Sequence, residues 1–206
     1  MKKVLEIGGF ISGGILIVFG AAVIALAVHG RSTVNSSLKQ QQITGTSDMT
    51  PSGIEAEAAK AGLKNVKFPT CSVAGKPVTS GARARCFAEY MNIHALEATG
   101  GFVYAQMGEY EAKPGTPKAQ LTPDGATDNT AYAVIDPTTK QPVANAARNV
   151  WVTETALTTA LNVSFLASQL SLFSVVTGVA LLLTGAGFVV LDWAALHRRR
   201  QGPPSS

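Results

Sequence analysis

Two long apolar runs, one towards each end of the chain, limit what this sequence can fold into more than any other feature. Val4 to Val28 reads VLEIGGFISGGILIVFGAAVIALAV, 25 residues with Glu6 as the single charge, and Leu170 to Leu191 adds 22 residues with none. A helix rises about 1.5 Å per residue, so about 20 apolar residues cross the hydrocarbon core of a bilayer. Both runs meet that length. The chain is expected to cross a membrane twice, with the lipid bilayer as its first partner.

Positive residues resist translocation, whereas a long loop crosses largely regardless of its own charge. Lys2 and Lys3 precede the first run, and Arg198, Arg199 and Arg200 follow the second. The expected layout is therefore a cytoplasmic N-terminus (1–3), a first span (4–28), an extracytoplasmic domain (29–169), a second span (170–191) and a cytoplasmic C-terminus (192–206). Both termini lie in the cytoplasm in this layout. Asp192 and Trp193 fall at the inner boundary, where interfacial residues are expected. A signal peptide is the rival reading of the first run, because Ala25-Leu26-Ala27 fits a small-x-small cleavage site. The run exceeds the about 7 to 15 residues of a signal core, which favours an uncleaved anchor.

The formal net charge of +4 comes mostly from the ends. Between Gly30 and Gln169 there are 12 Lys plus Arg against 11 Asp plus Glu, a net of +1. No basic stripe of the kind nucleic-acid binding requires is visible, and no nucleic-acid partner is expected.

The two cysteines, Cys71 and Cys86, fall in the segment assigned to the oxidising side, and a disulfide between them is expected. Closing a loop of about 15 residues contributes on the order of 3 kcal/mol in the chain-entropy model. The bridge would hold a Gly/Pro-containing loop against a helix from Gly81 to Ala98 capped by Ser80. Phe87, Met91, His94, Ala95 and Ala98 share one face of that helix, and Gly100-Gly101 ends it.

Thr50-Pro51 is read as the cap and first turn of a short helix over Ile54–Leu63. The proline-rich segment Glu109–Gln141 reads as an irregular surface loop. Pro142 suits the start of a helix running to Leu196, 55 residues and about 80 Å long. Val143, Val150, Leu157, Leu161 and Phe165 lie near one stripe of it, and the first span is expected to continue to about Gln42. The fold class expected is mainly α. Two transmembrane helices extend outward as a helical stalk beside a small helical, disulfide-containing extracytoplasmic domain.

Small residues at a spacing of four suit close helix packing: Gly9 with Gly13, Ala21 with Ala25, and Ser174 with Gly178. Packing of the two spans on each other is the first expectation, with a homo-oligomer or a membrane-protein partner as the alternative.

Met49–Leu63, Phe68–Met107 and Asn145–Phe173 together resemble a family of uncharacterised actinobacterial two-span membrane proteins. The resemblance covers most of the chain and implies an extracytoplasmic domain between two membrane helices. Some members carry a label as aromatic ring-opening dioxygenases. A facial-triad iron site needs two histidines and a carboxylate around one open position. This chain has His29, His94 and His197, and the expected topology puts His197 inside. His29 and His94 would have to meet, with Glu97 or Glu89, for such chemistry to exist.

The nearest polar cluster is Tyr90, His94 and Glu97, at helical spacings that bring side chains together. It is read as a structural histidine and its neighbours. Glu154 and Asn162 on the last helix either hydrogen-bond a partner in an assembly or form a solvated side, and Glu154 is read as solvated. No nucleophile elbow, zincin motif, P-loop or dinucleotide fingerprint occurs, and no catalytic residue, metal site or cofactor is expected. The expected function is a non-enzymatic accessory or scaffold subunit of a cell-envelope or membrane complex. The alternative is an extracytoplasmic ligand-binding or sensing module, which would need an apolar cavity beside the His94 helix. A pore component is a weaker third reading, because the spans offer only Ser12, Ser171, Ser174, Thr177 and Thr184.

Overall fold

The structure, a computed structural model, describes residues 2–200, with side chains from residue 7 to residue 197. The charges of Lys2, Lys3, Glu6 and Arg198 to Arg200 that bear on orientation lie outside the described side chains, as does the 201–206 tail. The helices are α1 (Lys2–Gln40), α2 (Pro51–Lys60), α3 (Gly81–Ala98) and α4 (Ala146–Arg200). Among the described residues there are no strands, only isolated bridges between loops. The chain divides into two compact units, Met1–Ser36 with Leu166–Ser206, and Ser37–Phe165, and both α1 and α4 contribute to each.

The first unit holds the apolar segments. Ile7–Gln40 and Ala146–His197 are helical stretches with peak mean hydropathies of 2.6 and 2.2, long and apolar enough to cross a membrane. Their large side chains face outward: Phe19, Leu26, Phe173 and Leu183 are 62 to 72% exposed. Water would disfavour such a surface, whereas lipid tails accept it.

The inner faces are lined by glycine. A Cβ added at Gly13 would lie 2.8 Å from the Gly185 carbonyl oxygen, and one at Gly20 would lie 2.7 Å from that of Gly178. Backbones this close leave no room for a side chain and bring Cα–H groups onto carbonyl oxygens. Gly13 and Gly20, like Gly178 and Gly185, are seven residues apart, a period of 3.5 per turn that keeps one seam on the partner. The small-residue expectation located Gly13 and Gly178 on this seam. It missed Gly20 and Gly185, because the repeat is seven rather than four. Gly9 meets the Asp192 carboxylate, and Ser174 is half-buried. Asp192 does not simply face water: its Oδ2 is buried with no hydrogen-bond partner among the described residues.

The second unit is built on α2, α3 and the first turns of α4. Thr50 caps α2, its hydroxyl accepting from the Gly53 amide at 3.0 Å. Pro51 opens the helix, where its missing N–H costs nothing. α2 therefore starts three residues earlier than Ile54 and ends at Lys60 rather than Leu63. Gly62, at φ +69°, turns the chain away. Ile54 and Ala58, one turn apart, are its buried contacts.

Ser80 caps α3 as expected, and Gly100 and Gly101 take positive φ just past its end. The buried face is broader than the expected stripe. Phe87 and Ala95 are on it, but Ala84, Tyr90 and Ile93 are buried more deeply, and Ala98 is exposed. Cys71 and Cys86 form a disulfide with their Cα atoms 6.1 Å apart.

The 109–141 loop is irregular yet pinned. Tyr110 and Thr127 exchange both backbone hydrogen bonds, at 2.9 and 3.0 Å, and Val134 donates to Glu111 at 2.8 Å. Thr127 and Ala133 are fully buried within it. Pro142 does not start α4, because it pairs with Ile135 in a bridge. The helix begins at Ala146, where the Asn145 side-chain oxygen accepts from the Ala147 amide at 3.1 Å. Val143 thus leaves the expected stripe, Leu161 is buried as expected, and Trp151 and Glu154 join it as the other buried side chains among the described residues of α4.

Candidate functional site

α3 carries the residues around which the second unit's polar chemistry gathers. His94 Nε2 lies 2.8 Å from Asp48 Oδ2 and 3.8 Å from Glu57 Oε2. One donor atom from each of the three residues lies within 4.8 Å of the others. Each comes from a different segment: the loop before α2, α2 itself and α3. Burial pushes the Asp48 carboxyl up, but hydrogen bonds from the Thr46 side chain and its own backbone, with the His94 imidazole, outweigh this and hold it below the ordinary carboxylate range.

The loop bearing Asp48 is fixed locally. Met49 is 2% exposed, and its carbonyl accepts from the Val73 amide at 3.2 Å and the Ser72 hydroxyl at 3.3 Å. Gly53 passes so close that an added Cβ would sit 2.5 Å from the Asp48 carbonyl oxygen. Segment 72–73 adjoins Cys71, whose carbonyl accepts the Tyr90 hydroxyl at 2.6 Å. The disulfide and Tyr90 therefore tie the Asp48 loop to the helix that carries His94.

Beside this group, α3 and the start of α4 enclose an open cavity of about 500 Å³. Met91, Ala95, Ala98, Val150 and Leu157 supply its apolar wall, while His94, Asn149, Thr153 and Glu154 bring polar groups to it. Glu154 is only 6% exposed, which overturns its reading as a solvated residue. Its contacts are weak. Asn92 Nδ2 and the Thr155 hydroxyl each approach a carboxyl oxygen at 3.4 Å, and no Lys or Arg among the described residues lies within bridging distance. A glutamate this buried ordinarily has a strong partner. Glu154 also lines a second, more polar groove of about 640 Å³ with Arg85, Asn92 and Asn162.

The expected Tyr90, His94 and Glu97 cluster divides. Tyr90 is fully buried on Cys71, His94 faces Asp48 and Glu57, and Glu97 is exposed. Burial raises the Tyr90 phenol above its ordinary range, with the charges of Glu89 and Asp48 adding to it. Asp48 and Glu57 escaped sequence reasoning because no local spacing links them to a histidine far along the chain. No metal site is expected from the sequence, and the fold brings three potential ligand side chains together here. They include one histidine, not the two of a facial triad.

Next to the cavity, Trp151 Nε1 donates to the Phe102 carbonyl at 2.8 Å inside a core that shares Ala95 and Val150 with it and also holds Met107 and Leu96. Asp124 accepts from Thr122, Gly108, Ala126 and Asn145 at 2.6 to 3.2 Å. Burial raises its carboxyl, and these hydrogen bonds more than reverse that, leaving it below the usual range. Both sets hold the start of α4 in place, which forms one cavity wall.

No protein-family model, curated protein or solved structure matches the chain.

Proposed function

We propose that this chain is a two-pass membrane protein with both termini in the cytoplasm, and that Ser37–Phe165 is an extracytoplasmic, non-enzymatic binding module. Its ligand is a small amphipathic molecule with an amine or comparable donor. The observation that carries this is Glu154, buried at the wall of an apolar cavity with only neutral donors at 3.4 Å. An amine would give that carboxyl group a charge-assisted partner, while the apolar part of the ligand covers Val150 and Leu157.

Monodansylcadaverine, an aromatic body with a primary amine, is a suitable probe for the full chain in nanodiscs. Saturable fluorescence enhancement is expected, lost in Glu154→Gln and in the cavity-filling Ala98→Trp. Equal signals from all three proteins would refute the reading.

A second reading, an accessory or scaffold subunit of a cell-envelope or membrane complex, draws support from the polar groove bearing Arg85, Asn92 and Asn162. Crosslinking in intact cells tests it. A chain recovered alone, without a reproducible partner, counts against it.

A further inference from the structure

We propose that Asp48, Glu57 and His94 form a binding site for one divalent transition-metal ion, with zinc the best match to the ligand chemistry. This does not depend on the cavity having an occupant. Imidazole nitrogen with two carboxylate oxygens is a donor set that suits zinc, whereas calcium and magnesium favour oxygen-only shells of six or more ligands.

The geometry fits with small movements. Bonds of about 2.0 to 2.2 Å in a tetrahedral shell separate neighbouring ligand atoms by about 3.4 Å. The observed separations of 2.8 and 3.8 Å from His94 Nε2 straddle that value. A cation entering between Asp48 and His94 would replace their direct contact by two metal bonds and draw Glu57 inward. The side chains of Asp48, His94 and Glu57 are 20, 26 and 36% exposed, so solvent can reach the ion and fill a fourth position.

Charge points the same way. Two carboxylates facing one imidazole remain net negative whether the ring carries one proton or two, and no Lys or Arg among the described residues pairs with either. A divalent ion supplies the missing positive charge directly. The scaffold is also rigid where a site needs it to be. Asp48 is held by the Met49 anchor and the Gly53 approach, Glu57 by a helix seated on Ile54 and Ala58, and His94 by the disulfide-tethered α3. Donors fixed by separate elements lose little entropy when they converge on an ion.

The test uses the full-length, tag-free chain in nanodiscs after chelator treatment, titrated calorimetrically with zinc. One equivalent per chain is expected. Asp48→Asn, Glu57→Gln and His94→Gln should each weaken binding at least tenfold, while Glu89→Gln, at an exposed carboxylate paired with Arg85, should leave it unchanged. Should any variant fail to fold, cobalt(II) added to the wild-type chain provides the reading. Intense visible bands of four- or five-coordinate cobalt are expected, saturating at one equivalent and displaced by zinc. Absence of saturable zinc binding, unchanged affinity in folded His94→Gln, or only the weak spectrum of hydrated octahedral cobalt would overturn the proposal. Loss of monodansylcadaverine binding in Glu154→Gln leaves these readouts untouched, so the two sites fail separately.

Discussion

The Tyr90 hydroxyl donates to the Cys71 carbonyl at 2.6 Å, and Cys71 is itself bonded to Cys86, one helical turn before Tyr90. A covalent link and a buried hydrogen bond thus join the same loop to successive turns of α3. Tyr90→Phe should cost about 1 to 2 kcal/mol, because the phenyl ring remains while a buried carbonyl loses its donor. Paired Cys71→Ser and Cys86→Ser should cost on the order of 3 kcal/mol. Denaturant unfolding of the full chain in oxidising buffer measures both, and an unchanged midpoint in either variant would contradict the stated role.

Acid should weaken the second unit partly through Asp124. Its carboxyl lies below its unfolded value when folded, so its contribution is present above the unfolded pKa and is lost as pH falls through the folded one. Stability is therefore expected to decline below about pH 4, and Asp124→Asn should flatten that decline while lowering stability at neutral pH. Urea midpoints of both proteins from pH 7 to pH 3 provide the check.

Glycine substitutions should separate the two faces of α1. Gly13→Leu and Gly20→Leu drive side chains into the Gly185 and Gly178 carbonyls, whereas nothing lies within 4 Å of a Cβ at Gly14. The first two should destabilise by about 1 to 3 kcal/mol or more, and Gly14→Leu should be close to neutral. Thermal inactivation in mild detergent ranks them, and equal behaviour at Gly13 and Gly14 would show that the seam is misplaced.

Trp151→Phe removes the indole donor to Phe102 and part of the filling of the α4 core. A loss of roughly 2 kcal/mol is expected from the hydrogen bond and the lost volume together. Amide exchange along α4 reports it, with protection falling first near residues 146–151.

Local chemistry was readable in the sequence, and tertiary chemistry was not. Thr50, Ser80 and the Gly100-Gly101 stop were legible because a cap is made by neighbours along the chain. Pro142 misled because an N-terminal proline and a loop proline look alike until Ile135 is seen opposite it. Glu154 read as solvated because its burial is imposed by α3, whose Asn92 lies 62 residues away in the chain. Asp48 and Glu57 gave no signal because the fold, not a motif, brings them to His94. Gly13 and Gly178 were found by their smallness, yet their partners were not, since register between two helices is absent from either helix alone.

That register has a mechanical consequence. Gly13 fits only opposite Gly185 and Gly20 only opposite Gly178, so the helix pair works like a shaft with two keys in two keyways. A slide of one or two residues forces a side chain onto a carbonyl, and a slide of four, about 6 Å, would bring Gly9 to Gly185 but set Leu16 against Gly178. Piston travel of one helix along the other is thereby locked out. The seam leaves a roll or a splay about the glycines as the motions that keep both keys seated.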